Sequence, residues 1–313
     1  MEIVAVDIGG THARFALARL GGDGVTLGPE TVLKTGDYAG LADAWQAFGQ
    51  RLGRTLPDAA GVAIAAPIEG AEIKLTNNDW VLRPATLAAE LGIARVTLVN
   101  DFAAVAHAVA VCGDAQLRHV CGPDRPLPRH GVVTIVGPGT GLGVAMLVRG
   151  DVVATEGGHI GFAPTDAMED RLLARLRTRH GRISAERVAC GAGLAEIHAV
   201  LTGRDWPAGD HELWQQALSG DDAEAAASLD RYCAILGGVA GDIALAHGAD
   251  AVVIAGGLGL RLAAHLPRSA FGERFRAKGR FEARMAALTV KVITHPQPGL
   301  LGAAAAFAGA DRA

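Results

Sequence analysis

The sequence predicts an α/β fold divided into two domains, and three features support this prediction. The chain has 313 residues, which is more than a single hydrophobic core usually serves. Short apolar runs that end in glycine or polar residues alternate with segments whose apolar residues repeat at helical spacing. A strand, a glycine-rich turn with threonine and a second strand occur near the N-terminus and again from residue 132, which indicates two halves built on one plan.

Buried strands and short helices alternate through the first half of the chain. The run Ile3–Val6 is continuously apolar, and Leu41, Trp45 and Phe48 recur at the spacing of one helix face. Pro67 closes a buried run, because proline cannot sit in the middle of a sheet. We predict strands at 2–8, 15–20, 32–35, 60–67, 72–76 and 96–99, and helices at 41–52, 86–91 and 102–111.

The second half follows a proline-rich loop at 122–129, which is typical of a connection near a domain boundary. Residues 155–164 form a second loop, dense in glycine, while 223–246 are apolar on most helix faces and predict a buried helix. We predict strands at 132–136, 144–148, 152–154, 251–257 and 290–293, and helices at 170–180, 194–201, 223–246 and 300–308.

Composition excludes several classes of protein. The formal net charge of −4 offers no basic excess to neutralise a phosphate backbone, so we expect no nucleic-acid partner. No apolar run reaches the length of a membrane helix, and the N-terminus lacks the basic start of a signal peptide. The four cysteines form no C-x-x-C pair, which argues against structural zinc and favours reduced thiols in the cytoplasm.

The glycine-rich turns indicate phosphate binding. Asp7 precedes the pair Gly9-Gly10 and Thr11 follows it, so bare amides and a hydroxyl form a concavity suited to phosphate oxygens. A simple tight turn is the alternative for the glycine pair alone. Neither G-x-x-x-x-G-K-[ST] nor G-x-G-x-x-G is present, and the run Gly137–Gly143 leads into a strand instead of a helix. Phosphate held between two β-hairpins suits a nucleotide in a cleft between two similar domains.

Asn100 and Asp101 follow a short apolar run and precede an Ala-rich segment. At the carboxyl end of a strand, where α/β sheets bind ligands, a carboxylate is placed to act as a base and an amide to orient a substrate. The alternative is that Asp101 only caps the helix that follows, because Asp and Asn are favoured N-cap residues.

Taken together, these motifs resemble bacterial glucokinases that lack the zinc-binding cysteine cluster of a related repressor and sugar-kinase family. The resemblance extends from residue 3 to about 308. Each motif is weak alone, and the set is specific. The motifs are Asp7-Ile8-Gly9-Gly10-Thr11, Asn100-Asp101, Gly137–Gly143, Glu156-Gly157-Gly158-His159 and Ala255-Gly256-Gly257.

The family implies a two-domain actin-like ATPase (ribonuclease H-like) fold with the ligand cleft between the domains. A small α/β domain would span 1–110 and be joined by the C-terminal helix 300–313, while a large α/β domain would span 111–299. ATP and Mg²⁺ are the implied cofactors, and no metal ligand is assigned. The implied nucleotide-binding residues are Val6, Asp7, Ile8, Gly9, Gly10, Thr11, Gly137, Gly139, Thr140, Gly141, Gly256 and Gly257.

The resemblance also implies residues for the sugar and for catalysis. Asp101 matches the catalytic base, and Asn100, Asp101, Glu156, His159 and Glu186 match residues that bind the sugar. Carboxylates, amides and imidazole suit the paired hydroxyls of a sugar. His159 could instead be a zinc ligand or a core histidine, and Glu186 could simply favour the first turn of a helix.

The implied function is ATP-dependent phosphorylation of D-glucose to D-glucose 6-phosphate, with Asp101 deprotonating the 6-hydroxyl. A kinase for another hexose or amino sugar is one alternative. A sugar-sensing regulator is another, although such regulators usually begin with a DNA-binding module and this chain begins with the first strand. We expect a cytoplasmic homodimer that binds sugar and ATP but neither nucleic acid nor membrane.

One departure from the family lies in the first turn, where His12 stands in place of the common Asn. Imidazole still forms hydrogen bonds, but its charge near phosphate would depend on pH. The loop before Trp80 resembles an Asn-rich loop of the family, and it makes Asn78 a candidate neighbour of the sugar.

Overall fold

The computed structural model describes residues 1–22, 24–75 and 78–310. The predicted strand at 72–76 and the predicted C-terminal segment 300–313 therefore lie partly outside the described residues, at 76 and at 311–313. The chain forms two compact units. Unit 1 contains Met1–Cys112 and the segment from His295 onward, and unit 2 contains Gly113–Thr294.

The strands of the described residues are short, and most are buried. They are β1 (Glu2–Ile8), β2 (His12–Gly21), β3 (Gly24–Leu27), β4 (Thr31–Lys34), β5 (Ala59–Ile64), β6 (Ile73–Lys74), β7 (Val81–Leu82), β8 (Arg95–Asn100), β9 (Leu117–Cys121), β10 (Val132–Pro138), β11 (Leu142–Val148), β12 (Asp151–Thr155), β13 (Ala251–Ile254) and β14 (Thr289–Ile293).

The helices vary from single turns to one long buried helix. They are α1 (Leu41–Leu52), α2 (Leu87–Leu91), α3 (Asp101–Val111), α4 (Ala167–Arg177), α5 (Ala185–Ala189), α6 (Gly193–Thr202), α7 (Asp210–Ser219), α8 (Ala223–His247), α9 (Gly256–Leu262), α10 (Phe271–Arg276), α11 (Glu282–Ala286) and α12 (Pro298–Ala310).

The main sheets of the two units have the same plan. The unit 1 sheet has the order β3-β2-β1-β5-β8, with β4 also paired to β2, and the unit 2 sheet has the order β12-β11-β10-β13-β14-β9. In each unit an antiparallel hairpin, β1–β2 or β10–β11, continues through parallel strands. The repeated plan predicted from the sequence is therefore confirmed.

Unit 1 buries its sheet on both faces. Alternate residues of β1 divide between the two sides, so Val4 and Val6 join a cluster with α1, while Ile3 and Ala5 join a cluster with α12. This explains why β1 reads as a continuous apolar run. The approach of α12 is close: a Cβ atom added to Gly302 would lie 1.7 Å from the carbonyl oxygen of Ala104 in α3.

The core of unit 2 anchors the segment around α5. Tyr232 of α8 is fully buried, and its hydroxyl donates a hydrogen bond of 2.9 Å to the carbonyl oxygen of Ala189. The indole of Trp214 donates one of 2.8 Å to the carbonyl oxygen of Gly191. These bonds satisfy polar groups that burial would otherwise leave unpaired, and they fix the backbone on both sides of Cys190.

Several boundaries differ from the sequence predictions. Helix α4 begins at Ala167, three residues before the predicted 170, because the Asp166 side chain accepts hydrogen bonds from the backbone N–H groups of Met168 and Glu169. The predicted strand 251–257 was wrong at its end. It stops at Ile254, and the glycine pair Gly256-Gly257 starts α9.

The four cysteines and the helices were compared with the expectations for disulfides, metal sites and membrane spans. Cys112, Cys121, Cys190 and Cys233 are free thiols, and burial raises the pKa of Cys112 and Cys121 to about 11. Within 1–22, 24–75 and 78–310, no group of three or more His, Cys, Asp and Glu side chains could hold a metal ion. Across the same ranges, no helix has the length and apolar character needed to cross a membrane.

Candidate active site

The carboxyl ends of three strands lie in register in unit 1. Ile8 of β1 is aligned with Ile64 of β5, and Ile64 is aligned with Asn100 of β8. The glycine turn after β1 and the Asn100-Asp101 pair therefore follow the same edge of the sheet, where ligands of α/β folds bind. The predicted groups for phosphate and for proton transfer come together at this edge.

The first glycine turn is fixed by its own backbone and by one threonine. The N–H of Gly9 donates to the carbonyl oxygen of His12 across 2.9 Å. Thr35 donates its hydroxyl to the carbonyl oxygen of Gly10 at 3.1 Å and its N–H to that of Thr11, also at 3.1 Å. Thr11 Oγ1 and His12 Nδ1 are 2.9 Å apart, so the unusual histidine is engaged by the hydroxyl of the turn.

Asn100 is the N-cap of α3. Its Oδ1 accepts hydrogen bonds from the N–H groups of Phe102 at 2.9 Å and Ala103 at 3.2 Å, and its Nδ2 donates to the carbonyl oxygen of Ala66 at 3.2 Å. An amide nitrogen has two hydrogens, so a second one is left over for a ligand hydroxyl. The structure thus orients the Asn100 side chain from both ends.

Asp101 occupies the first position of α3, and the alternative that makes it the N-cap is wrong because Asn100 has that role. Asp101 Oδ1 accepts from the N–H of Phe102 at 2.8 Å. The partial positive charge of the helix N-terminus stabilises a carboxylate at this position. The structure therefore holds an acidic side chain at the end of β8, half-buried and oriented by the helix start.

Asp7 lies at the end of β1 in an unfavourable electrostatic environment. Burial raises the pKa of Asp7 to about 6, Arg14 opposes the shift, and the charges of Asp101 and Glu30 add to it. A Cβ atom at Gly299 of α12 would lie 2.4 Å from Asp7 Oδ2, so only glycine leaves room for this carboxylate. Arg14 Nη1 lies 3.8 Å from Asp7 Oδ2, and two neighbouring carboxylates beside one guanidinium group are still suited to a cation.

The raised pKa of Asp7 predicts a pH-dependent stability. The folded state binds the Asp7 proton more tightly than the unfolded state does. Protonation of Asp7 therefore stabilises the folded state fully below pH 3.8, and this stabilisation is lost as the pH rises through about 6. We expect Asp7→Asn to match the unsubstituted protein near pH 3.8 and to be more stable at pH 7, by up to about 3 kcal/mol. Urea unfolding between pH 4 and 7, without ligands and with chelator, measures this difference.

The control for this comparison is Asp43→Asn, which changes an exposed acid in the first turn of α1. Its unfolding free energy should stay parallel to that of the unsubstituted protein across the pH range. A parallel profile for Asp7→Asn would contradict the argument.

The second glycine turn, in unit 2, contains fewer residues than the predicted run 137–143. Gly137 pairs with Gly143 in the β10–β11 ladder, so the turn itself is 139–141. The N–H of Gly139 donates to the carbonyl oxygen of Gly141 at 2.8 Å, and that of Gly191 donates to the carbonyl oxygen of Gly139 at 2.8 Å. Apart from its two chain neighbours, no residue that the structure describes has an atom within 4 Å of a Cβ placed on Gly139, which leaves open space over the turn.

Gly256 lies against the end of β10, directly before this turn. Its φ of +75° lies in the left-handed region, and a Cβ atom would lie 2.8 Å from the carbonyl oxygen of Pro138. Glycine is required here for both conformation and space. The structure therefore packs the start of α9 against the end of β10, next to the second glycine turn.

The three predicted sugar residues of unit 2 form one cluster. His159 Nε2 is 3.7 Å from Glu156 Oε2, and His159 Nδ1 is 3.9 Å from Glu186 Oε1. Residues 160–162 pair with 183–185 through backbone hydrogen bonds, which bring the His159 loop beside α5. His159 and Glu156 are exposed and Glu186 is partly buried, so the histidine is not a core residue.

Some supporting residues were missed from the sequence. Thr35 fixes the first turn, Gly191 binds the second turn, and Gly299 leaves room for Asp7. The pair Gly191 and Gly193 is a detectable signal, because glycines at that spacing indicate close backbone approach. Thr35 and Gly299 carry no local signal, because their partners are distant in sequence.

Comparison with known proteins gives a consistent result. The family model for glucokinase matches residues 4–310. A glucokinase from Zymomonas mobilis is 56% identical over 317 residues and covers 98% of both chains, and one from Caulobacter vibrioides is 39% identical, covering 98% of this chain and 95% of the relative.

Solved structures agree with the sequence comparisons. A glucokinase from an Antarctic psychrotroph has a TM-score of 0.87 at 30% identity, covering 98% of this chain and 99% of that one. A ROK family glucokinase from Streptomyces griseus, solved with glucose and AMPPNP, has a TM-score of 0.64 at 19% identity, covering 97% and 98%. At 19% identity, the second likeness shows that the fold is shared and nothing more.

The duplicated sheet plan and the paired glycine turns define the two-domain α/β fold of sugar kinases, and the protein is a kinase of that class. It belongs to the glucokinase family.

Proposed function

We propose that the chain transfers the γ-phosphoryl group of ATP to the 6-hydroxyl of D-glucose, giving D-glucose 6-phosphate, and that Asp101 is the base. A primary hydroxyl has a pKa far above neutrality, so its attack on phosphorus is assisted by a carboxylate that accepts the proton. The oxygen–phosphorus bond of the product forms as the bond from the γ-phosphorus to the leaving ADP oxygen breaks, and the hydroxyl proton passes to Asp101.

The observation that carries this proposal is the division of roles between Asn100 and Asp101. Asn100 is the N-cap of α3, and Asp101, whose Oδ1 also accepts from the N–H of Phe102, adds a carboxylate at the carboxyl end of β8 beyond what the cap requires. The chain's full-length identity of 56% to a curated glucokinase supports glucose and ATP as the substrates. We assign the sugar hydroxyls to Asn100, Asp101, Glu156, His159 and Glu186.

The nucleotide phosphates bind, in this proposal, to the two glycine turns. The first turn presents Gly9, Gly10 and Thr11 after β1, and the second presents 139–141 beside the start of α9. Positioned backbone groups suit phosphoryl transfer, which depends mainly on orientation and on charge stabilisation. The open space at Gly139 supports this assignment.

Mg²⁺ fits the acidic end of β1. Asp7 is a carboxylate whose pKa is raised by burial and by the charge of Asp101, so a divalent cation would compensate both charges. We propose Asp7 as the residue that holds the ion, directly or through water, with Asp101 nearby. When bound, Mg²⁺ neutralises the charge of the phosphate oxygens.

A phosphorylation assay over several sugars and donors tests the proposal. We expect glucose with ATP and Mg²⁺ to give the highest kcat/KM among glucose, fructose, mannose and N-acetylglucosamine, with ADP and polyphosphate as alternative donors. Preference for N-acetylglucosamine or mannose would replace glucose by another hexose. Sugar binding without transfer to any sugar from any donor would favour a sugar-sensing regulator.

Two further expectations are proposals from the family resemblance. We propose that the protein works in the cytoplasm, which is consistent with the free thiols of Cys112 and Cys121.

We also propose that the protein is a homodimer. Light scattering on the purified protein measures its mass in solution against 32.1 kDa for one chain, and a mass of one chain at micromolar concentration would contradict the dimer.

A further inference from the structure

We infer that Glu186 couples the binding of the sugar to the binding of the nucleotide, in addition to contacting the sugar. In this view it is a positioning residue for the second glycine turn. Its carboxylate transmits the presence of the sugar to the turn, so that each ligand raises the affinity for the other. The inference rests on the proposed function, because it takes glucose and ATP as the two ligands.

The two oxygens of the Glu186 carboxylate face different elements. Oε2 accepts a hydrogen bond of 3.1 Å from the N–H of Leu142, the first residue after the second glycine turn. Oε1 lies 3.9 Å from Nδ1 of His159 in the sugar cluster. One side chain therefore bridges the proposed sugar residues and the proposed phosphate turn.

The glycine turn is shaped to receive this carboxylate. A Cβ atom on Gly141 would lie 2.4 Å from Glu186 Oε2 and 3.2 Å from its Cδ, whereas one on Gly139 meets no atom within 4 Å. Gly141 is not among the glycines with positive φ, so its backbone conformation is open to other residues. Space for the Glu186 carboxylate, and not conformation, is therefore what requires glycine at position 141.

The backbone of Glu186 is anchored, so that rotation of its side chain is the main freedom left. The N–H of Ala185 donates to the carbonyl oxygen of Ile160 at 2.8 Å, and the hydroxyl of Tyr232 holds Ala189 at the end of α5. The side chain is 26% exposed, so a ligand reaches it from one side. A sugar hydroxyl that donates to Oε1 restricts the carboxylate and keeps Oε2 on the N–H of Leu142.

The consequence is positive cooperativity. Once the sugar has ordered Glu186 and the turn, the phosphates bind a turn that loses less conformational freedom on binding. The same coupling acts in reverse, because linkage between two equilibrium affinities is reciprocal. We expect glucose to raise the affinity for Mg²⁺–AMPPNP about tenfold, the scale of one charge-assisted hydrogen bond.

Isothermal titration calorimetry of the full chain with Mg²⁺–AMPPNP measures the nucleotide affinity with and without saturating glucose. The ratio of the two affinities is the coupling ratio, called the ratio below. Glu186→Ala should reduce it to below about twofold, while Glu186→Gln should retain most of it because the amide oxygen still accepts from Leu142. Glu156→Ala is the matched control: it removes a sugar-cluster carboxylate for which the structure shows no bond to the turn, so glucose affinity falls but the ratio at saturation persists.

Gly141→Ala provides a second test that leaves Glu186 intact. The added methyl group displaces the carboxylate, so the ratio should fall as it does in Glu186→Ala, whereas Gly139→Ala should change AMPPNP affinity and keep the ratio. If Glu186→Ala does not fold, the comparison of Gly141→Ala with Gly139→Ala tests the coupling by itself.

A ratio near one in the unsubstituted protein would overturn the inference. So would a full ratio in both Glu186→Ala and Gly141→Ala. The inference also fails if Glu156→Ala lowers the ratio as much as Glu186→Ala does. The steady-state assay separates these results from failure of the proposed function. A protein that phosphorylates glucose but shows no coupling loses only this inference, while one that phosphorylates no glucose loses the proposed function.

Discussion

Asp101→Asn should lower the turnover of glucose by roughly 10²–10⁴-fold, the range expected for loss of a general base. The amide has nearly the shape of the carboxylate and its oxygen still accepts a hydrogen bond from Phe102, so α3 should begin as before. The substitution removes the capacity to accept the hydroxyl proton, together with the negative charge beside Asp7. Steady-state kinetics with glucose and ATP measure kcat, and calorimetry measures whether glucose still binds.

Asp43→Asn serves as the matched control, because it also replaces an acid in the first turn of a unit 1 helix, at an exposed position. Its kcat should equal that of the unsubstituted protein. If Asp101→Asn retained near-normal turnover, the assignment of Asp101 as the base would have to be abandoned.

Gly302→Ala should destabilise unit 1 by about 3 kcal/mol or more, because overpacking a tight interface forces backbone shifts. The new Cβ atom would lie 1.7 Å from the carbonyl oxygen of Ala104, and backbone on both sides leaves no flexible group to move away. Ala104 lies in the first turn of α3, three residues after Asp101. We therefore expect kcat to fall as well, since displacement of a reacting group by about 1 Å costs roughly 10²-fold.

The matched control lies on the same helix. Outside its own helix, no described residue has an atom within 4 Å of a Cβ added to Gly309 of α12. Gly309→Ala should therefore stabilise the protein by up to about 0.5 kcal/mol through helix propensity alone. Urea unfolding gives both values. Equal stability of Gly302→Ala and the unsubstituted protein would show that α12 does not pack against α3 as described.

The sequence by itself identified most strands, because buried parallel strands are continuous apolar runs and these end in recognisable residues. The predicted strand 132–136 lies within β10, and the predicted strand 251–257 contains β13 but continues three residues beyond its end. Helix boundaries were less accurate. The start of α4 depends on the side chain of Asp166, and the apolar pattern alone does not show which polar residue caps a helix.

The glycine motifs at the candidate site also show that a sequence pattern identifies a residue as important without showing which contact requires it. The sequence indicated that glycines at 137–143 and 256–257 matter, but not the different reason for each. Gly256 adopts a left-handed conformation, Gly141 leaves room for Glu186, and Gly137 is an ordinary member of a strand pair. These reasons depend on neighbours that are distant along the chain.

The sequence therefore determined the α/β class, the repeated plan and the chemical character of the site, because periodicity and residue type are local properties. Only the tertiary structure decided which of two adjacent polar residues caps α3, and it chose Asn100 over Asp101. It alone placed Glu186 against the second turn and Gly299 against Asp7, since register and packing bring these groups together. Contacts between segments distant along the chain decide the positions of Glu186 and Gly299, and no local pattern encodes them.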